Sequence, residues 1–416
     1  MPTATVVGGG PGGLMAAEVL ATAGVQVTVV EHMPSVGRRL VLAGRSGLNL
    51  TNVEPIDALV ARFGAASSRL AEALRTFDAD ALRAWSAGLG EPTFAGSSGR
   101  VFPQSFRATP LLRAWLARLA DLGVVIETRT RWVGWADDAH RTLRCAKGEE
   151  VWDRTSDVTI LALGGASWPR VGSDGGWVPI LREAGVVVHD LRPANCGVIV
   201  SWSSGFLDRF EGVPVKNTAV TVGTAVAVRG DLMITATGLE GGPIYASIPS
   251  IRAAIDAEGV AAIHVDLHPD LTIAQLAERW SRRRPKESMS SALRRTLGLS
   301  PVAIALVREV TGGAPPSEPD ALAELVKAVP LRIGETMPID RAISSAGGVA
   351  LDEVDDAFML RRLPGTYVIG EMLDWEAPTG GYLIQATMST AVRAARSAAR
   401  TLVAESNGKP SNLQPD

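Results

Sequence analysis

Residues 3–31 read TATVV GGGPGG LMAAEVLATAG VQVTVVE, and this stretch decides the fold. Thr3–Val7 is a short apolar run. A block from Gly8 to Gly13 follows in which only Pro11 is not glycine. Leu14–Ala23 is alanine-rich and reads as a helix, and Gly24 stops it. Val25–Val30 is a second apolar strand, ending at Glu31. Strand, turn, helix and strand in about thirty residues is the unit that builds a parallel sheet.

The turn has the spacing Gly8-x-Gly10-x-x-Gly13, with Pro11 and Gly12 between. Glycine at the first position permits a tight turn. At the second it lets backbone approach a pyrophosphate, and at the third it lets the helix pack on the strand. The helix N-terminus then presents N–H groups and a positive dipole end to the phosphates. Glu31 lies 23 positions after Gly8, where a carboxylate bonds ribose hydroxyls. This is a dinucleotide fingerprint in its full context, and by itself it does not separate FAD from NAD.

The rest of the composition sets bounds. The chain has 416 residues, with 41 Lys+Arg against 44 Asp+Glu and a formal net charge of −3. Hydrophobic residues are 46% and charged residues 20%, so extended disorder is excluded and two or three domains are expected. No apolar run reaches the ~18 residues of a membrane span. The N-terminus lacks the basic start of a signal peptide, so a cytoplasmic location is expected. Two cysteines, Cys145 and Cys196, make no disulfide framework and no Cys-x-x-Cys. There is no Gly-x-Ser-x-Gly, His-Glu-x-x-His or P-loop, so hydrolase and kinase chemistry has no support.

Along the chain, residues 56–90 carry helical spacings, Gly99–Pro103 is a turn and strand, and Thr109–Leu122 is an amphipathic helix. Val124–Arg131 reads as one strand, 132–157 as an antiparallel meander, and Val158–Leu163 as a buried strand before Gly164-Gly165. A helix at 176–184 closes this region. Val198–Ser201, Asn217–Val222 and Ala225–Val228 suggest short strands. Residues 271–329 are helical and charged, interrupted at Pro315, Pro316 and Pro319. Thr366–Ile369 is again a strand, and Thr387–Ala404 a final alanine-rich helix. The expected organisation is a discontinuous α/β domain, 1–190 and 335–408, with a β-rich insertion at 191–270, a helical module at 271–334 and a frayed tail at 409–416.

A second set of segments bears on the cofactor: Gly347-Gly348-Val349, then Val368-Ile369-Gly370-Glu371-Met372-Leu373-Asp374, then Thr379-Gly380-Gly381-Tyr382. A strand ending in Gly-Glu and followed by a helix resembles the second FAD contact of flavoproteins. With Val6–Ala17, Gly37–Asn52, Gly99–Pro103, Ala162–Gly175 and Thr237–Tyr245, these segments are similar to the YhiN/BaiN-like family of FAD-dependent oxidoreductases, also called aminoacetone-oxidase-like. The resemblance runs in family order over nearly the whole chain. It implies a Rossmann-like FAD-binding α/β domain with an inserted β-barrel-like unit and a helical module. Activities in the family include amine oxidation, reduction of conjugated C=C bonds in steroids, and reduction of uridine in ribosomal RNA. Where the family has Ser-Gly-Gly-Gly-Arg-Cys-Asn-hydrophobic-Thr-Asn, this chain has Ala43-Gly44-Arg45-Ser46-Gly47-Leu48-Asn49-Leu50-Thr51-Asn52. Asn49, Thr51 and Asn52 match, but the Arg-Cys pair is missing. Trp168, Trp177 and Trp375 also depart from the family.

The expected FAD contacts are Gly8, Gly10, Pro11, Gly12, Gly13 and Glu31 on the ADP half, with Arg38, Arg39, Asn49, Thr51, Val133, Gly164 and Gly165. On the flavin half they are Gly370, Glu371, Asp374, Gly380, Gly381, Tyr382 and Leu383. Arg38-Arg39 reads equally as a solvated basic loop. No residue pattern identifies an acid or base; Tyr245, Glu240 and Tyr382 are catalytic candidates by the resemblance alone. No second Gly-x-Gly-x-x-Gly is present, so NADH or NADPH visits transiently or the substrate itself reduces the flavin. The His264-x-Asp266-x-His268 pattern lacks a fourth ligand and is read as surface, not metal. Arg279, Arg282, Arg283, Arg284, Lys286, Arg294 and Arg295 are the one basic concentration, either a solvated helix face or a contact for RNA phosphates. The favoured partner is a small-molecule substrate. The alternatives are a reductase of a nucleobase in RNA and a non-catalytic flavin sensor.

Overall fold

Thr3–Val7 forms the centre of a five-stranded parallel sheet in this computed structural model, which describes residues 1–406. The strand order is Thr366–Val368, Val158–Leu161, Thr3–Val7, Gln26–Glu31, Val125–Thr128. The expected tail at 409–416 lies outside the described residues. Pairing of Ala4 with Val158 and with Val27 puts Ala4, Val6, Val27, Val29, Val158 and Ile160 on one face. That face packs against the helices Pro11–Thr22, Ala108–Asp121 and Tyr382–Ser406 through Leu14, Leu111, Trp115 and Ala391. Val7, Val30, Leu161 and Val368 face the other way and pack with Leu70, Trp132, Trp177 and Tyr382. Both faces are covered, which is why these strands read as continuous apolar runs.

The chain divides into two units, Met1–Arg192 with the segment from Ser344 onward, and Pro193–Ile343. In the first unit, Val188–Ala194 and Ser344–Val349 form a two-stranded sheet. A meander of Arg131–Trp135, Thr142–Lys147 and Glu150–Thr155 and a small sheet of Thr51–Asn52, Arg100–Pro103 and Thr93–Ala95 complete it. The second unit is a six-stranded antiparallel sheet from Val198–Ile199 at one edge to Val329–Ile333 at the other. Its edges meet: Ile199 N–H donates to Glu335 O at 3.0 Å and Met337 N–H to Gly197 O at 2.8 Å, so the sheet curls into a barrel-like form. The helix Gly242–Glu258 and five shorter helices share one apolar core with it, around Phe206, Ile248, Leu276, Leu293, Val307 and Leu322.

Two strand expectations need correction. Val124–Arg131 is not one strand: Arg129 adopts φ +59°, ending the parallel strand at Thr128 and redirecting the chain into the meander at Arg131. Ala225–Val228 is mostly the loop of a hairpin, since the second strand starts only at Val228. Gly223 at φ +53° makes the turn.

Glu18 is the polar pin of the helical layer. It is 9% exposed, and its Oε2 accepts Trp115 Nε1–H at 2.6 Å and Trp85 Nε1–H at 3.0 Å. Its Oε1 accepts Arg118 Nη1–H at 3.0 Å. Replacing it by alanine strands two indole donors and a guanidinium. We expect Glu18→Ala to cost about 2 kcal/mol in urea unfolding followed by circular dichroism, the half-open Arg118 side keeping the loss below that of a fully buried pair. Glu18→Gln, which keeps an acceptor, is expected to cost less.

Candidate functional site

The glycine turn explains its own composition. Gly8 has φ +109°, and a Cβ there would lie 2.3 Å from Ala162 O. A Cβ on Gly13 would lie 1.8 Å from Gly8 O. Gly10 is different: its φ is −78° and nothing lies within 4 Å of its Cβ position. Two glycines let strand and helix meet, and the third leaves open ground in front of the helix Pro11–Thr22. Glu31 holds the turn in shape. Its buried carboxylate accepts Gly9 N–H at 2.8 Å through Oε2 and Met33 N–H at 2.7 Å through Oε1.

Beside this turn is a cavity of about 230 Å³, lined among others by Gly8, Val30, His32, Val133, Trp177 and Asp174. Val133 comes from the meander and Gly8 from the first strand, so the cavity is built between the sheet edge and the meander. Trp132, also in its wall, has Nε1 buried without a hydrogen-bond partner.

Arg39, Gly165 and Glu371 meet at one polar cluster with Ser167 and Ser345. Arg39 donates to the carbonyl and, at 3.0 Å, the hydroxyl of Ser167, and its Nη2 pairs with Glu371 Oε2 at 3.5 Å. Ser345 Oγ accepts Ala166 N–H at 2.8 Å, and a Cβ on Gly165 would lie 2.3 Å from that oxygen. Gly164 has φ +72°. Gly370 has φ +66°; its N–H donates to Thr390 Oγ1 at 3.1 Å and its carbonyl accepts Trp375 Nε1–H at 2.8 Å. Asp374 meets His189, Oδ2 to Nδ1 at 2.6 Å. Gly381 packs so closely on Thr51 backbone that a Cβ would lie 2.6 Å from it. The helix Tyr382–Ser406, which carries Leu383, therefore starts five residues earlier than the alanine pattern suggests.

Several side chains have other partners. Thr51 donates its hydroxyl to Gln385 Oε1 at 2.6 Å, and Gln385 Nε2 donates to Phe77 O at 2.6 Å. The Tyr382 phenol is pushed up to about 12 by burial and by Glu54, and Arg62 sits 5.8 Å over its ring. Arg38 reaches only Ser35, at 3.4 Å. Asn49 has its Oδ1 buried without a hydrogen-bond partner. Tyr245 and Glu240 belong to the second unit, 3.3 Å apart, and burial pushes Tyr245 up to about 12. In the basic run, Arg282 pairs with Glu278, Arg295 with Glu287, and Arg283 lies 5.1 Å over Trp280. Trp280 is 1% exposed, so it is no platform for a base. Asp266 is held by Lys327 at 2.5 Å. The sequence reading missed Ser167, Ser345, His189 and Gln385, which carry no motif. It also missed His32, whose place directly after Glu31 was the available signal.

A parallel sheet in this order, with a glycine turn, an acidic residue closing the second strand and a covered cavity beside them, is the dinucleotide-binding fold of flavoprotein oxidoreductases. The HI0933-like protein Rossmann domain model matches residues 2–397, and the chain belongs to that family. It is an FAD-dependent oxidoreductase. The chain is 26% identical over 409 residues to a 3-dehydro-bile acid delta(4,6)-reductase of Clostridium scindens, covering 95% of this chain and 98% of the relative. Its fold is similar to 3-ketosteroid delta1-dehydrogenase from Sterolibacterium denitrificans, with TM-score 0.53, 13% identity and coverage of 96% and 100%. It is also similar to 3-ketosteroid-delta4-(5alpha)-dehydrogenase from Rhodococcus jostii, with TM-score 0.50, 15% identity and coverage of 96% and 97%. Among the described residues no helix is long and apolar enough to cross a membrane.

All three tyrosines, Tyr245, Tyr367 and Tyr382, are raised by burial. The unfolded chain ionises them near pH 10. Above that pH the unfolded state gains stability and the folded state does not, so stability falls as pH climbs toward about 12. Ultraviolet titration of native protein should show little tyrosinate until well above the midpoint measured in denaturant. Ordinary titration in both states would contradict this.

Proposed function

We propose that the chain holds FAD in the first unit and uses it to reduce or oxidise a small cyclic ketone, with NADH or NADPH as a transient donor in the cytoplasm. The observation that carries the cofactor assignment is the open ground at Gly10, directly before a helix N-terminus and beside the 230 Å³ cavity. The donor set fits the group. Backbone N–H groups of Gly10, Pro11-Gly12 and Gly13 suit a pyrophosphate, save for proline, which has none to give. Glu31 stands where ribose hydroxyls are bonded, and Val133 walls the adenosine side. Gly164 and Gly165 bring backbone in from the neighbouring strand. Gly370, Glu371, Asp374, Gly380, Gly381, Tyr382 and Leu383 bound the flavin end, and the orphaned Asn49 Oδ1 is an acceptor held ready nearby in sequence to Thr51.

Bound FAD supplies hydride transfer; the protein supplies orientation and exclusion of water. Arg39 acts here as a positioning residue, since it ties the 164–167 turn to Glu371. The printed names of the relatives, a 3-dehydro-bile acid and 3-ketosteroid enzymes, support a ring ketone as the substrate class.

The test starts from the visible spectrum of purified protein and its anaerobic response to NADH or NADPH, then to a 3-keto-4-ene steroid. Bleaching by a nicotinamide and recovery on adding the steroid are expected. Absence of flavin even after reconstitution with FAD would overturn the reading. Gly10→Asp is the diagnostic variant. It meets no steric obstacle, so the melting temperature without cofactor should be unchanged, yet it sets a carboxylate against the phosphates. We expect FAD affinity to fall at least about a hundredfold, the size of a lost charge-assisted contact plus a new repulsion.

A further inference from the structure

The loop between the strand Val158–Leu161 and the helix Val178–Glu183 is shaped to close over the cavity. It turns through Gly164, Gly172 and Gly175 at φ +72°, +108° and +68°. Trp177 Nε1–H donates to Gly164 O at 2.8 Å and fastens its base. Gly172, Asp174 and Gly176 of this loop line the cavity on one side, and Arg131, Trp132 and Val133 of the meander line it on the other. A single side-chain bridge joins these walls at this point: Arg131 Nη1–H donates to Asp174 Oδ2 at 3.1 Å.

The bridge is built for a purpose beyond folding. Asp174 is first fixed by its own loop, its Oδ1 accepting Gly176 N–H at 3.0 Å. Burial would raise the Asp174 carboxyl, but the Gly176 N–H and Arg131 outweigh it and hold it below the usual range. The two side chains are 50% and 35% exposed, so they sit at the rim of the cavity and not on its floor. An ion pair so exposed adds little to folding. Between the two lining residues Gly172 and Asp174, Ser173 is 3% exposed and its Oγ is buried without a hydrogen-bond partner. Next to it, Gly172 packs against His32 and Met33, the residues following Glu31.

We infer that the Arg131–Asp174 pair is a clasp that retains the adenosine end of the cofactor, by tying the 164–176 loop to the meander across the mouth of the cavity. This rests on the FAD reading above. The adenosine end is the one concerned because the cavity touches Val30, Gly8 and His32, the surroundings of the ribose-binding carboxylate, and not the Gly370–Leu383 segments. A rim clasp acts on departure, so its effect falls on the dissociation rate.

The experiment measures FAD release from reconstituted protein by the return of flavin fluorescence, with ADP and FMN as competing probes. Asp174→Asn and Arg131→Gln should each release FAD about fivefold faster, the span of an exposed ion pair. ADP affinity should fall by the same factor, and FMN affinity should not move. The double reversal Arg131→Asp with Asp174→Arg should restore release to within about twofold of wild type, while all variants melt alike without cofactor. Unchanged FAD release in both single variants would overturn the clasp, as would equal losses for ADP and FMN, which mark a general structural defect. A wild-type protein that takes up FAD while the variants behave as wild type sinks the clasp and leaves the functional reading standing. A wild-type protein that binds neither FAD nor ADP sinks both.

Discussion

The first unit depends on one contact that a side chain would forbid. Gly13 lies against the carbonyl of Gly8, closer than any Cβ tolerates, and Gly8 lies too close to Ala162 for a side chain as well. These approaches set the distance between the helix Pro11–Thr22 and the two central strands. They also aim the helix N-terminus along the sheet's carboxyl edge, where α/β folds place ligands. Glu31 then serves two ends. It bonds the Gly9 N–H and so freezes the turn, and its chain neighbours Val30 and His32 line the cavity.

The other half of the expected site is assembled from segments far apart in the chain, joined by polar bonds, with Met372 and Leu373 also in the apolar core. Arg39, Ser167, Ser345 and Glu371 come from four separate stretches and are linked by the Arg39 fork and by Ser345, whose oxygen takes Ala166 N–H and whose own N–H lies 3.4 Å from Glu371 Oε1. Such a network is directional, so it fixes position more sharply than apolar contact does. It also limits what Arg39 and Glu371 are free to do: in this arrangement each is the other's partner. The expected roles of Arg39 at the pyrophosphate and Glu371 at the flavin are therefore best understood as placing backbone, with the carboxylate and guanidinium compensating one another.

What the sequence disclosed follows the same physics. The turn, its helix, both flanking strands and Glu31 were legible because glycine at fixed spacing and apolar runs are local signals. The strands Val158–Leu161 and Thr366–Val368 were legible for the same reason, while their order in the sheet was not. The break at Arg129 was not, because positive φ there falls on an arginine, with no glycine to announce it. The basic run left a solvated helix face and an anion contact both open, because charge can be counted in sequence and its partners cannot. Its pairing with Glu278 and Glu287 and the burial of Trp280 are three-dimensional facts. Thr51 and Tyr382 stand at motif positions, yet their polar atoms turn toward Gln385 and Glu54. A motif names positions along the backbone and does not say where the side chains point. The clasp residues, Arg131 and Asp174, are 43 positions apart and carry no motif at all.

The protonation states of the candidate side chains constrain the chemistry further. Burial holds Tyr245 and Tyr382 up to about 12 and Cys196 up to about 11. At neutral pH each keeps its proton, so each can donate a hydrogen bond or a proton and none can abstract one. The cysteine of the related Arg-Cys pair is absent at its motif position, and both cysteines that are present are buried. Saturating a carbon–carbon bond beside a ketone needs a hydride from the cofactor and a proton from a donor, whereas the reverse reaction must begin by removing a proton. The three protonated groups suit the donor's part, while the base that the reverse step needs has to come from the carboxylates and imidazole of the first unit, Glu371, Asp374 and His189.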